Sequence, residues 1–168
     1  MAEPTRRKPV AKEALLSAGC LYADTVQEAF QKYQSAVLSA QRKEDLRDFL
    51  RAVYQRNPGA MYADFYYPVL PRQEQERFRA GLSGEQREIL ETLDTESGRI
   101  FYPVTEKELD FLYEITAAEW LFSSFYAGNQ KALIWGNYGL NFPIFCEEEE
   151  TLEFYLGLAQ TYKVRWNK

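Results

Sequence analysis

Residues 131–166 read KALIWGNYGLNFPIFCEEEETLEFYLGLAQTYKVRW, and no other stretch is as informative about the fold class. Two short apolar runs, KALIW and NFPIF, flank the glycine-containing turn GNYG, a pattern that predicts two strands joined by a turn. The segment EEEETLEFYLGLAQ then has apolar residues at helical spacing, and YKVRW has the composition of a strand. This part of the chain therefore predicts two strands, one helix and a final strand.

The preceding segment extends this alternation of strands and helices. RIFYPV, which begins at Arg99, has the composition of a strand. Thr105 and Glu108 have the spacing of a capping box, and the apolar residues that follow predict a helix to about Tyr126. The carboxyl-terminal part therefore has a βαββαβ-like order, which is the order of a split βαβ unit.

The amino-terminal part has the apolar spacing of helices instead. Apolar residues at steps of three or four predict a first helix from about Leu21 to Ala40. A second helix follows and ends at the helix-breaking sequence Asn57-Pro58-Gly59. Two short helices are predicted over residues 73–80 and 85–94.

Together these elements predict an α+β protein. An N-terminal helical hairpin and short helices precede the C-terminal βαββαβ-like unit, and the alternative is a mainly α fold with one β-hairpin. We expect residues 1–12 to be a flexible polar tail and residues 13–168 to form a single globular domain. Within the domain, the helical part covers residues 13–97 and the mixed α/β part covers residues 98–168.

The absence of histidine restricts the chemistry more than any other feature of the composition. It excludes Ser-His-Asp and Cys-His catalytic machinery, and it excludes every histidine metal ligand. The motifs GxGxxG, GxxxxGK(S/T), GxSxG and CxxC are also missing. We therefore favour a non-enzymatic protein and assign no catalytic residue, no metal ligand and no cofactor.

The charge is unevenly distributed along the chain. The net charge is −5, yet the segment through Arg56 has ten Lys and Arg against seven Asp and Glu. From Asn57 onward there are ten basic residues against eighteen acidic ones. Because phosphate binding depends on Lys and Arg, we expect no nucleic-acid partner and favour a basic protein partner.

No apolar run in the chain has the length of a secretion signal or of a transmembrane helix. We therefore expect a cytoplasmic protein that does not associate with membranes. Cys20 and Cys146 are too few and too far apart for a disulfide framework, so two reduced, buried thiols are the favoured interpretation, and a single bridge between them is the alternative. Cys146 directly precedes a predicted helix, which leaves a reactive thiolate as the alternative.

The candidate binding residues cluster around the GNYG turn. Tyr138 lies within the turn, Trp135 precedes it, and Asn137 and Asn141 add amide groups. Exposed aromatic side chains in a turn are suitable anchors for a ligand or partner, although for Trp135 packing on the core beneath its own strand is the favoured alternative. We add the carboxylate of Glu119 to this predicted binding set.

The run Glu147 to Glu150 has two interpretations. Carboxylates are favourable in the first turn of a helix, and the apolar spacing after the run predicts such a helix. The alternative is a metal or catalytic site, although consecutive residues on a helix point in different directions.

Three functional hypotheses follow. The first is an interaction domain that binds another protein, for example as an inhibitor or immunity factor. The second is a histidine-free, carboxylate-dependent hydrolase in which Glu119 pairs with one of the four glutamates, at the separation of about 5 to 9.5 Å that such chemistry requires. The third is a small-molecule sensor with an aromatic pocket.

Overall fold

The computed structural model describes residues 5–168 and confirms the α+β class. Seven strands form one sheet, and seven α-helices pack against its two faces within this range. The strands are β1 (Gln34–Ser39), β2 (Met61–Asp64), β3 (Phe101–Pro103), β4 (Phe125–Ala127), β5 (Ala132–Ile134), β6 (Asn141–Cys146) and β7 (Arg165–Asn167). The helices are α1 (Lys12–Ser17), α2 (Val26–Lys32), α3 (Lys43–Arg56), α4 (Arg72–Ala80), α5 (Gly84–Glu91), α6 (Glu106–Ala117) and α7 (Glu149–Thr161). Two 3₁₀ turns cover Tyr67–Val69 and Tyr138–Leu140.

The sheet has the strand order β3-β2-β4-β5-β6-β1-β7, and every neighbouring pair is antiparallel. β1 pairs with β6 along its whole length, and the register places Ser39 opposite both Asn141 and Arg165. The end of β1, the turn between β5 and β6, and the start of β7 therefore lie at one end of the sheet. We call this end the turn end.

Two apolar cores lie on opposite faces of the sheet. Along β5 the neighbours Leu133 and Ile134 belong to different cores, as do Ile144 and Phe145 along β6, because successive strand side chains point to opposite faces. The first core joins the sheet to α3, α5, α6 and α7, and the second core joins it to α1 and α2. Each fully buried aliphatic or aromatic side chain stabilises the fold by about 1.5–3 kcal/mol.

The predicted helix from Leu21 to Ala40 is correct only over Val26–Lys32, so the helical hairpin does not form. α2 ends at Lys32, and the next residues form β1 between β6 and β7. The apolar step from Tyr33 to Val37 is an even number of residues, so it fits one face of a strand as well as one face of a helix. Pairing of β1 on both edges decides in favour of the strand.

The predicted βαββαβ order also needs correction. α6 ends at Ala117 rather than near Tyr126, and Phe125–Ala127 forms the additional strand β4. From β3 onward the order is therefore βαβββαβ. The split βαβ connection nevertheless occurs twice, because β3 and β4 flank β2 while β6 and β7 flank β1, and the amino-terminal part supplies both central strands.

The predicted capping box at α6 does not form. Thr105 precedes the helix, but its side chain makes no hydrogen bond to a helix amide. Its hydroxyl instead donates to the Glu108 carboxylate, which also forms an ion pair with Arg7. The carboxylate of Glu108 therefore links the start of α6 to the amino-terminal segment.

The amino-terminal segment lies along the edge of the sheet. Arg7 forms a backbone bridge with Leu93, and Val10 forms one with Phe101 of β3. The first four residues of the predicted tail, 1–4, lie outside the described part of the chain. None of the helices within residues 5–168 combines the length and the apolar character needed to span a bilayer.

Candidate functional site

The loop after α6 begins with a left-handed residue that carries a carboxylate. Glu119 has a φ of 62°, its amide donates to the Thr116 carbonyl, and the Trp120 amide donates to the Ile115 carbonyl. These two bonds form a Schellman helix end, in which glycine is the usual left-handed residue. A glutamate in this conformation costs on the order of 1 kcal/mol. The chain therefore reverses sharply and directs Glu119 away from the helix.

The GNYG turn binds the carboxylate that this loop presents. The Gly139 amide donates to Oε2 of Glu119 at 2.9 Å, and Asn141 Nδ2 donates to the Gly139 carbonyl at 3.2 Å. Gly139 has a φ of 65°, which glycine adopts without strain. The structure therefore brings together Glu119, Tyr138 and Asn141 of the predicted binding set.

Close backbone packing also joins the loop after α6 to the start of the turn. A Cβ atom at Gly136 would lie 2.0 Å from the carbonyl oxygen of Ser123 and 2.8 Å from Cγ2 of Thr116. The Thr116 hydroxyl donates to the Leu112 carbonyl and accepts from the Ser123 amide at 3.0 Å. Only glycine fits at position 136, so the two loops are held in one arrangement.

Two large aromatic side chains are exposed beside Glu119. Tyr138 is 64% exposed and packs edge-on against Phe122, with 4.6 Å between the ring centroids. Trp120 is 51% exposed and lines a groove of about 430 Å³ together with Leu70, Phe78 and Leu121. We call Glu119, Trp120, Phe122 and Tyr138 the turn-end surface.

The structure places Trp135 in a different environment from Tyr138. The Trp135 side chain is half-buried and packs against the second core, while its amide donates to the Pro143 carbonyl. Asn137 is exposed at the start of the 3₁₀ turn, and its side chain makes no cap hydrogen bond. The packing of Trp135 fits the core alternative, so the aromatic anchors beside Glu119 are Trp120 and Tyr138.

Glu119 is not neutralised by a nearby cation. Within residues 5–168, no Lys or Arg nitrogen lies within 4.0 Å of its carboxylate. One carboxylate oxygen accepts the Gly139 amide, and the residue remains exposed. The turn-end surface therefore combines a carboxylate with exposed aromatic rings, a combination that suits a cationic group.

The pairing of Glu119 with the glutamate run is not compatible with this fold. Glu119 contacts the turn before β6, whereas Glu147 follows the opposite end of β6. At about 3.4 Å per residue, β6 is about 17 Å long, and the two glutamates lie near its opposite ends. This separation exceeds the range in which two carboxylates act on one glycosidic bond.

The glutamate run lies at the start of α7. Glu149 and Glu150 occupy its first turn, where carboxylates interact favourably with the helix dipole, and Glu149 forms an ion pair with Lys168. All four glutamates are exposed. In the described part of the chain, no three carboxylates or thiols are grouped so that they could hold a metal ion.

The two cysteines are unpaired and buried. Burial raises the pKa of Cys146 to about 12 and that of Cys20 to about 11. Because the thiolate is the nucleophilic form, neither thiol is activated at neutral pH.

Trp120 is exposed and Phe122 is half-buried on the turn-end surface, although their apolar spacing predicts that they lie within the long helix. The local signal against that helix is the pair Ser123-Ser124, since serine favours helix ends and turns. The contact between Glu119 and Gly139 has no local signal, because it depends on two loops twenty residues apart in the chain.

Comparisons of this chain with protein-family models, curated proteins and solved structures found no match.

Proposed function

We propose that the protein is a non-enzymatic interaction domain that binds a protein partner through the turn-end surface. The observation that carries this proposal is the exposure of Trp120 and Tyr138 on the same surface as Glu119, whose carboxylate has no ion-pair partner within residues 5–168. Tryptophan and tyrosine are the residues that most often dominate binding energy at protein interfaces.

The exposed area is sufficient for an energetic anchor. Trp120 leaves about half of its side chain accessible. Covering about 100 Å² of that ring contributes about 2.5 kcal/mol at about 25 cal/mol per Å². Tyr138 is more exposed than Trp120, and it is held by Phe122 and the turn, so little side-chain entropy is lost when a partner covers it.

The charge beside the rings selects the chemistry of the partner. A Lys or Arg side chain can contact the face of Trp120 or Tyr138 while it forms an ion pair with Glu119. The acidic excess from Asn57 onward favours approach of a basic surface over long distances. We therefore favour a basic protein partner, and an inhibitor or immunity factor is the class of protein that this mode of binding suits.

Site-specific photo-crosslinking in the host cell tests the proposal. A benzophenone amino acid replaces Tyr138 in one protein and Phe154 in a control, because Phe154 is also an exposed aromatic residue but lies on α7. We expect a discrete crosslinked protein from position 138 that is absent from position 154. Equal crosslinking from both positions, or none from position 138, contradicts the proposal.

The partner that crosslinking identifies is then purified, and its affinity for variants of this protein tests which residues bind it. Trp120→Ala should weaken binding by about 2 kcal/mol or more, which is about thirtyfold in Kd. Glu119→Gln should weaken it less and should reduce its dependence on salt, because the amide removes the charge. Unchanged affinity in both variants, with unchanged melting temperatures, contradicts the assignment of this surface.

Binding of a small molecule in the groove beside Trp120, without any protein partner, would instead favour the sensor hypothesis.

A further inference from the structure

A second feature of the turn end is a cleft lined by basic side chains. It has a volume of about 910 Å³ and lies between the start of α3, the end of α7 and the first residues of β7. Arg42, Lys163 and Arg165 contribute three positive charges, and Asp45 contributes the one carboxylate that lines it. The cleft therefore has a net charge of +2 in a protein whose overall charge is −5.

The positive charges of the cleft are nearly unpaired within residues 5–168. Lys163 and Arg165 make no ion pair there, and Arg42 reaches Glu44 only at 3.9 Å. All three side chains are exposed. Arginine guanidinium groups that are free of carboxylates are available for the bidentate hydrogen bonds that phosphate oxygens accept.

An aromatic ring lies beside these charges. Trp166 lines the cleft and is half-buried, because it pairs opposite Leu38 and packs on the first core. The packing fixes the ring at the wall of the cleft, and an indole in such a position can stack on another planar ring. Lys163 has a φ of 63° because it is the left-handed residue of a Schellman end of α7, in which its amide donates to the Gln160 carbonyl and the Val164 amide donates to the Ala159 carbonyl. This helix end places Lys163 at the same wall of the cleft.

From these observations we propose that the cleft binds a small anionic ligand that combines a phosphate group with a planar ring, the chemistry of a nucleoside monophosphate. Arg42, Lys163 and Arg165 contact the phosphate, and Trp166 stacks on the ring. The volume of the cleft falls within the range of about 300–1,000 Å³ that is typical of small-molecule sites. Local sequence gives no sign of this site, since Arg42 and Arg165 are far apart in the chain and β1–β7 pairing brings them together.

The cleft shares no residue with the turn-end surface, so the three tryptophans of the chain can report on the two sites separately. The indole N–H signal of Trp166 reports on the cleft, that of Trp120 reports on the turn-end surface, and that of Trp135 reports on the second core. The signals are assigned by single Trp→Phe variants. The protein is titrated with the four common nucleoside monophosphates, with adenosine, and with ribose 5-phosphate.

We expect at least one nucleoside monophosphate to shift the Trp166 signal saturably at millimolar concentration or below, while the Trp120 and Trp135 signals stay unchanged. Adenosine, which lacks the phosphate, and ribose 5-phosphate, which lacks the planar ring, should each bind at least about tenfold more weakly than adenosine monophosphate. Equal binding of either compound overturns the proposal, as does the absence of a Trp166 shift with all four nucleotides.

Charge reversal gives the second test. Arg165→Glu should weaken binding by about tenfold or more, because it removes one contact to the phosphate and places a carboxylate in the cleft. Arg99→Glu is the matched control, since Arg99 is an exposed arginine near the opposite edge of the sheet and the change in net charge is identical. Thermal unfolding confirms that both variants fold. Equal affinities of the two variants overturn the proposal.

Discussion

The buried carboxyl group of Asp64 should make the stability of the fold depend on pH. Asp64 is 4% exposed at the end of β2, where Oδ1 accepts the Ser124 amide at 2.8 Å and Oδ2 accepts the Tyr126 hydroxyl at 3.0 Å. Burial raises the pKa of Asp64 to about 7, although the two hydrogen bonds favour the ionised form. Burial also raises the pKa of the nearby Tyr22 and Tyr66 to about 12, so both phenols stay neutral below pH 8.

The sign of the effect follows from proton linkage. The folded-state pKa of Asp64 is higher than its value of 3.8 in an unfolded chain, so the folded state binds the proton more tightly. The stability that this provides is present below about pH 4 and is lost as the pH rises through about 7. A difference in pKa of this size corresponds to about 4 kcal/mol in the free energy of unfolding.

Urea unfolding of the wild type and of Asp64→Asn between pH 4 and 8 measures this effect. The amide that replaces the carboxyl group in the variant does not titrate, so the wild type should lose up to about 4 kcal/mol relative to the variant as the pH rises. Tyr126→Phe removes a hydrogen bond to the carboxylate and should move the loss of stability to higher pH. Parallel stability curves for the wild type and Asp64→Asn would show that this carboxyl group does not control the pH dependence.

Three further predictions concern packing and the buried polar groups. Tyr155→Phe removes a hydroxyl that accepts from buried Asn57, and urea unfolding should show a loss of about 1–3 kcal/mol. Gly136→Ala should reduce the melting temperature sharply, since its Cβ would lie 2.0 Å from a carbonyl oxygen. Gly157→Ala on α7 has open space around the new methyl group, so this control should stabilise the folded protein by about 0.5–1 kcal/mol. Cys146 should react with a thiol reagent at pH 8 only as fast as the protein unfolds, because its pKa is about 12 in the buried site, and rapid labelling of the native protein would contradict this.

The elements that local sequence predicts correctly are those whose signals do not depend on distant partners. β5 and β6 flank a glycine turn, and the glutamates with the apolar spacing after them specify α7. The strand β1 could not be predicted in this way, because a four-residue apolar step fits both helices and strands. Its partner strand β6 also lies more than a hundred residues away in the chain.

The residues of the candidate site also differ in whether local sequence predicts them. Tyr138 is predictable, because an aromatic residue between two glycines is a local signal of an exposed turn. Trp120 is not, because the left-handed conformation of Glu119 also depends on contact with Gly139, which lies twenty residues away in the chain.

The position of β1 between β6 and β7 also determines when this part of the sheet can form during synthesis. Gln34 of β1 pairs with Cys146, so the ribosome must pass Cys146 before this strand finds its partner β6. Until then its apolar side chains, including Leu38, have no strand to cover them. The nascent protein must therefore remain unaggregated until β6 has been synthesised, and pairing of β1 should be slow because the closing contacts span long loops.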